Sequence, residues 1–287
     1  MICNLCPRKC GVDRSINSGV CQQNDKIRIA LTMLHHYEEP IISGTETDKG
    51  SGAIFFSGCN LRCVFCQNYK ISAENKGEEM SVEQLAEKFK EFECLGALNI
   101  NLVSPTHFCE QIIESLKIYK PKIPVVWNSN GYETEEMVEK LRDFVDIFLV
   151  DLKYAENDLA VKYSAAPNYF ENAKKAIKKM RQIVPQDVIE NGLMKSGIIV
   201  RHLVLPSHTN NSIKCLDFIA NELGTKTIVS IMSQFEPMYR ASEYPEINRH
   251  LTPLEYKRVV NHALKLGLTN AYTQELTSAN KIYTPKF

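Results

Sequence analysis

With 287 residues, 44% of them hydrophobic, the chain can bury a large core in one α/β domain or in two smaller ones. Lys plus Arg and Asp plus Glu stand at 34 each, a net charge of zero that excludes the broad basic face of a nucleic-acid binder. No run reaches the length of a membrane span, and Met1-Ile2-Cys3-Asn4-Leu5-Cys6 lacks the pattern of a signal peptide, so a soluble cytoplasmic protein is expected.

Residues 1–50 read as a cysteine-rich N-terminal extension. Ten cysteines in a reducing compartment call for a reason other than disulfides. Cys3-x2-Cys6-x3-Cys10-x10-Cys21 offers four thiolates, with Pro7, Gly11 and Gly19 available for tight turns. Four ligands would close a site, and zinc and an auxiliary iron–sulfur cluster satisfy that description equally. His35-His36-Tyr37-Glu38-Glu39-Pro40, later in the extension, could reach a substrate site or form a plain surface loop.

From residue 51 to 287 short apolar runs alternate with amphipathic stretches, the rhythm of βα units. The strand candidates are Ala53 to Ser57, Leu98 to Val103, Pro124 to Asn128, Ile147 to Leu152, Ile198 to Leu205 and Thr227 to Met232. Most are continuously apolar, as strands buried on both faces of a parallel sheet are. Ser81 is placed to cap a helix running through Phe89, while Thr252, Pro253 and Gly267 mark the cap, first position and end of another. The expected fold is α/β, a partial (β/α)6 TIM-like barrel. Cys94, Cys109 and Cys215 stand alone in helical or apolar surroundings and are expected to be small buried hydrophobes.

Gly58-Cys59-Asn60-Leu61-Arg62-Cys63-Val64-Phe65-Cys66 directly follows the first strand of the repeat, on the barrel rim where active sites lie. Cys-x3-Cys-x2-Cys supplies thiolates to three irons of a cubane and leaves the fourth open for a ligand. A zinc knuckle with a borrowed fourth ligand is the plainer alternative.

This motif, with Phe65 just before its last cysteine, resembles that of the radical S-adenosylmethionine (SAM) superfamily. From about residue 50 to 240 the chain looks similar to uncharacterised relatives of the pyruvate formate-lyase, or glycyl-radical enzyme, activating enzymes. Cys66-Gln67-Asn68, Asn128-Ser129-Asn130-Gly131, Asp151-Leu152-Lys153 and Val200-Arg201-His202-Leu203-Val204-Leu205-Pro206 carry that likeness. The resemblance implies a 4Fe-4S cluster on Cys59, Cys63 and Cys66, with SAM chelating the open iron, being cleaved, and yielding a radical that takes a substrate hydrogen. It implies that Asp151 and Asn128 lie beside the SAM carboxylate, that Lys153 pairs with it, and that Arg201 and His202 approach the ribose or carboxylate. Taken alone, His202 also reads as a hydrogen-bonded core histidine. The implied partners are an electron donor such as flavodoxin or ferredoxin and a substrate that includes, among the candidates, a glycine of a partner protein.

Two departures stand out. Activating enzymes carry Gly-Gly-Glu after the second strand to hold the cofactor's amino group, where this chain has Ser104-Pro105-Thr106-His107. Their Asp-Gly-Pro-Gly segment is replaced by Asp48-Lys49-Gly50-Ser51-Gly52. Met232 to Tyr239 reads either as a wall of the barrel mouth or as a packed loop. A contrasting class is an electron-transfer or metal-binding protein without substrate turnover, in which the protein ligates every iron.

Overall fold

The structure, a computed structural model, describes residues 2–275. Its strands are β1 (Ile27–His35), β2 (Ser51–Phe56), β3 (Glu78–Met80), β4 (Ile100–Val103), β5 (Val125–Ser129), β6 (Ile147–Asp151), β7 (Val188–Glu190), β8 (Leu193–Leu203), β9 (Ile228–Met232) and β10 (Ala271–Thr273). The helices are α1 (Pro40–Ser43), α2 (Tyr69–Ser72), α3 (Val82–Cys94), α4 (Cys109–Ile118), α5 (Glu135–Glu139), α6 (Asn157–Ser164), α7 (Tyr169–Ile183), α8 (Thr209–Phe218) and α9 (Pro253–Lys265).

All six expected strands form, and β2, β4, β5, β6, β8 and β9 pair in parallel in chain order. β10 extends the sheet in parallel beyond β9, whereas β1 and then β3 extend the other edge antiparallel. β7 makes a hairpin on β8. The sheet is thus an open, partial barrel, and it runs back into residues 27–35, where Arg28, Ala30 and Thr32 alternate with better-buried Ile27 and Ile29.

Ser81 accepts from the Gln84 amide and Thr252 from the Glu255 amide, each completing a reciprocal capping box. Gly267 follows α9 at φ +79°. The buried residues of α3 are Leu85, Ala86, Phe89 and Phe92, one helical stripe; Cys94 falls off it and is exposed, so burial holds only for Cys109 and Cys215.

Strand register explains both faces of the sheet. Side chains alternate sides every residue, so cross-strand partners share a face. Val126, Ile147, Leu149, Ile199 and Ile228 line the barrel interior, where Ile41 and Ile42 of α1 plug it with a small apolar cluster. The alternate residues, among them Trp127, Phe148, Val150, Ile198, Val200 and Val229, belong to the larger core on the other face, together with Leu116, Ile177 and Leu216 of the helices.

Candidate active site

Following the interior row toward the carboxyl ends of the strands changes its chemistry. Val126 gives way to Asn128, Leu149 to Asp151, Ile199 to Arg201 and Ile228 to Ser230, each two residues further on and therefore on the same face. Arg201 is the hub. Its Nε donates to Asp151 Oδ1 at 2.8 Å, its Nη1 to Glu38 Oε2 at 2.9 Å and its Nη2 to Asn128 Oδ1 at 2.6 Å. Lys153 Nζ lies 2.6 Å from the other Asp151 oxygen, and Glu38 Oε1 accepts from Asn101 and Asn128 at 3.1 and 3.0 Å.

Burial opposes ionisation in this network, and the opposite charges outweigh it. Asp151 is held below the usual carboxylate range against its burial by Arg201 and Lys153. Arg201 and Lys153 are raised against burial, chiefly by Asp151 in each case. Glu39, behind Glu38, is pushed up by burial despite Arg201, and its Oε2 has no hydrogen-bond partner.

The three cysteines face the same cleft as Glu38, Phe65, Asn128, Asp151, Lys153 and Arg201. Gly58 sets their loop at φ +80°, where a Cβ would meet Cys21 O at 2.5 Å. Donors converge on the sulfurs: Ser164 Oγ on Cys63 at 3.0 Å, and Asn130 Nδ2 and the Leu61 amide on Cys59 at 3.4 Å each. The Ser72 hydroxyl is 3.2 Å from Cys66 Sγ. Burial drives the Cys63 thiol up to about 12 and raises Cys66, so bare thiolates are disfavoured there. A cationic iron centre reverses that preference, because a coordinating thiol gives up its proton. Among the described residues no three His, Cys, Asp or Glu could hold a metal ion together as they stand. Three of a cubane's irons sit at separate corners and ask for a spaced trio instead. This donor set fits such a cluster.

With the cleft's geometry in view, relatedness decides the family. Residues 53–214 match the radical SAM superfamily, and across 94% of the chain it is 32% identical to an uncharacterised protein of Methanocaldococcus jannaschii, covering 76% of that protein. The chain belongs to the radical SAM superfamily. A second protein of that organism, provisionally named a glycyl-radical enzyme activating enzyme, is 32% identical over 37% of this chain and 44% of its own length. Among solved structures, Streptococcus suis SuiB bound to S-adenosylmethionine aligns with 76% of the chain at a TM-score of 0.52 and 13% identity. The chain spans about half of that structure, covering 48% of it. Radical SAM proteins use a 4Fe-4S cluster and SAM, and this chain shares their partial-barrel fold.

The cleft of this radical SAM protein gathers Phe65, Asn128, Asp151, Lys153 and Arg201, with Phe65 packed on Phe235 at 5.4 Å. It does not gather His202. That ring lies on the opposite face, fully buried, with Nδ1 2.6 Å from Leu152 O and Nε2 2.8 Å from Ser212 Oγ. Burial lowers its pKa to about 4, as befits a neutral core histidine. In the segment that replaces Gly-Gly-Glu, Thr106 donates to buried Glu133 and His107 packs against Ser57 O, whereas Ser104 lines the cleft at φ +58°.

Sequence reasoning did not rank Glu38, Asn101, Asn130 or Ser164. Glu38 had a signal in Pro40, which suits the first position of a helix; α1 seats itself inside the barrel and carries the preceding residues to the mouth, where His35, Tyr37 and Glu38 line the cleft. Among the described residues no helix is long and apolar enough to cross a membrane.

Proposed function

We propose that Cys59, Cys63 and Cys66 hold the 4Fe-4S cluster and that the chain catalyses hydrogen abstraction from a C–H bond, the substrate being a protein glycine in the manner of activating enzymes. The convergence of three thiols with the Asp151–Arg201–Glu38 network in one cleft carries this reading. When bound, a reduced cluster supplies the electron that cleaves SAM to methionine and a 5′-deoxyadenosyl radical.

The chain's own residues do the holding. Lys153, freed from Asp151 by a small rotation, offers a point charge to the SAM carboxylate. Glu38 and Asp151 present carboxylates to its ammonium group, and Arg201 keeps both from repelling each other. Glu38 thereby supplies the negative charge that Ser104 to His107 lack. Phe65, Phe55 and Leu203 wall the cleft with apolar surface that keeps water from a reactive radical. The matched stretch of a relative named for glycyl-radical activation supports the substrate class.

The test is 5′-deoxyadenosine formation by the anaerobically reconstituted protein given dithionite and SAM, with and without Cys59→Ala, Cys63→Ala and Cys66→Ala combined. Cleavage by the native chain and none by the variant is expected. Equal cleavage by both would misplace the cluster.

A further inference from the structure

The function above leaves Cys3, Cys6, Cys10 and Cys21 unused. The structure brings them together: a Cβ on Gly19 would lie 3.3 Å from Cys10 Sγ and 3.4 Å from Cys21 Sγ, so those sulfurs flank one glycine. Backbone bonds on both sides of Cys3, to Val12 and Gly11, set it beside the turn that carries Cys10. None is in a disulfide.

The backbone around them is shaped for ligation rather than for a core. Cys3 N donates to Val12 O, Gly11 N to Cys3 O and Lys9 N to Cys6 O, with Lys9, Gly11 and Gln22 all at positive φ. Among residues 2–26 there is no helix or strand, only an isolated bridge between Ile2 and Asp13, and Ile16 stays 78% exposed. Such a segment buries too little apolar surface to hold its shape and needs a staple. Four free thiols with no histidine among them provide one.

Position argues for the kind of staple. Asn60 stands between the two cysteine groups, its carbonyl accepting from Arg8 of the N-terminal segment and its side-chain Oδ1 lying 4.0 Å from Cys59 Sγ. Cys21 O abuts Gly58, the residue before Cys59. Arg8 fastens the segment to Asn60 O at 2.8 Å, and Arg62 reaches back to Val20 O. Cys3, Cys6 and Cys10 keep partial exposure, so this group lies at the surface and directly against the catalytic loop. Zinc carries no electrons, whereas an iron–sulfur group lying against the catalytic loop can pass one on.

We propose that Cys3, Cys6, Cys10 and Cys21 hold a second iron–sulfur cluster, ligated by protein at every iron, through which electrons enter the molecule. A one-electron protein donor of the flavodoxin or ferredoxin class is oxidised as this cluster is reduced; the same electron then passes to the catalytic cluster and is consumed in SAM cleavage. The location of the electron's destination rests on the proposed function; the site itself does not.

The deciding sample is the full chain with Cys59→Ala, Cys63→Ala and Cys66→Ala, reconstituted without oxygen. It should retain iron and acid-labile sulfide in equal amounts, about two or about four of each per chain. Reduced flavodoxin as the sole reductant should produce a paramagnetic signal that SAM leaves unchanged, since no iron is open. Zinc in place of iron, or no metal, overturns the assignment. Iron that flavodoxin fails to reduce overturns the entry role, and a signal shifted by SAM overturns full protein ligation. If the native chain proved unable to cleave SAM, the proposed function would fall while these results stood, because the variant never carries the catalytic trio.

Discussion

Arg201 and His202 are neighbours on one strand and lead opposite lives. His202 faces the helices, where two short bonds and complete burial leave its ring nothing free. Arg201 faces the barrel mouth, paired with two carboxylates that border an open cleft. The same contrast separates Glu133, locked by Trp127, Thr106 and Ser129, from Glu38. Buried polar groups of the outer face close their bonds within the core, while those of the inner face pair with one another at the border of an open cleft. A polar residue inside a strand therefore means little until its face is known.

Removing the hub should separate the two faces most sharply. Arg201→Met leaves Glu38 largely buried without its cation and Asp151 with Lys153 alone, and the expected cost is about 3–5 kcal/mol of unfolding free energy, read from urea denaturation. SAM binding should be lost with it. A variant that unfolds like the parent would show that the network carries no strain of desolvation.

Acid should find the outer face next. Folded His202 takes its proton only near pH 4, because of burial, whereas an unfolded histidine takes one near 6.5. Between those values the unfolded chain holds more protons, so stability present above pH 6.5 is lost as pH falls toward 4, by on the order of 3 kcal/mol. His107, depressed to about 3 by burial, adds a further loss on the same limb. His202→Gln should flatten this acid limb in a pH series of thermal melts; an unchanged limb would mean that the ring is not held neutral.

Glu38→Gln is the gentler probe of the inner face. It can keep the hydrogen bonds from Asn101 and Asn128 but removes the charge and the oxygen that accepts from Arg201. SAM affinity should weaken by about tenfold, or 1.4 kcal/mol, with a smaller loss of stability than in Arg201→Met. An unaltered affinity would exclude Glu38 from the cofactor's ammonium group. Gly131→Ala should act on both faces: at φ +74° its Cβ would sit 2.5 Å from Asp151 O, and a loss of about 1–3 kcal/mol is expected in the same melts.

These contrasts also show what was legible in the sequence. Six strands declared themselves because continuous apolar runs are the mark of parallel strands buried on both faces. Asn128, Asp151 and Arg201 were named through the motifs that resemble activating enzymes, not by periodicity; Arg201 falls inside its apolar run. Counting by twos from Asp151's partner would have sent His202 outward, but cross-strand register is a tertiary fact. Glu38 was legible only as part of a segment able to reach a substrate site; its pairing with Arg201 was not, because contacts between residues 163 positions apart leave no local pattern. Cys94 misled because a cysteine's burial depends on the stripe it occupies, not on its company in the chain.

The central claim is that SAM meets an open iron held by Cys59, Cys63 and Cys66. The most direct measurement is the electron paramagnetic resonance spectrum of the reduced, reconstituted native chain before and after SAM is added. A shifted signal from one cluster, absent in the triple alanine variant, is the predicted result. A spectrum that SAM leaves untouched, in a sample with its full complement of iron, would contradict the account and return the chain to the class of electron carriers.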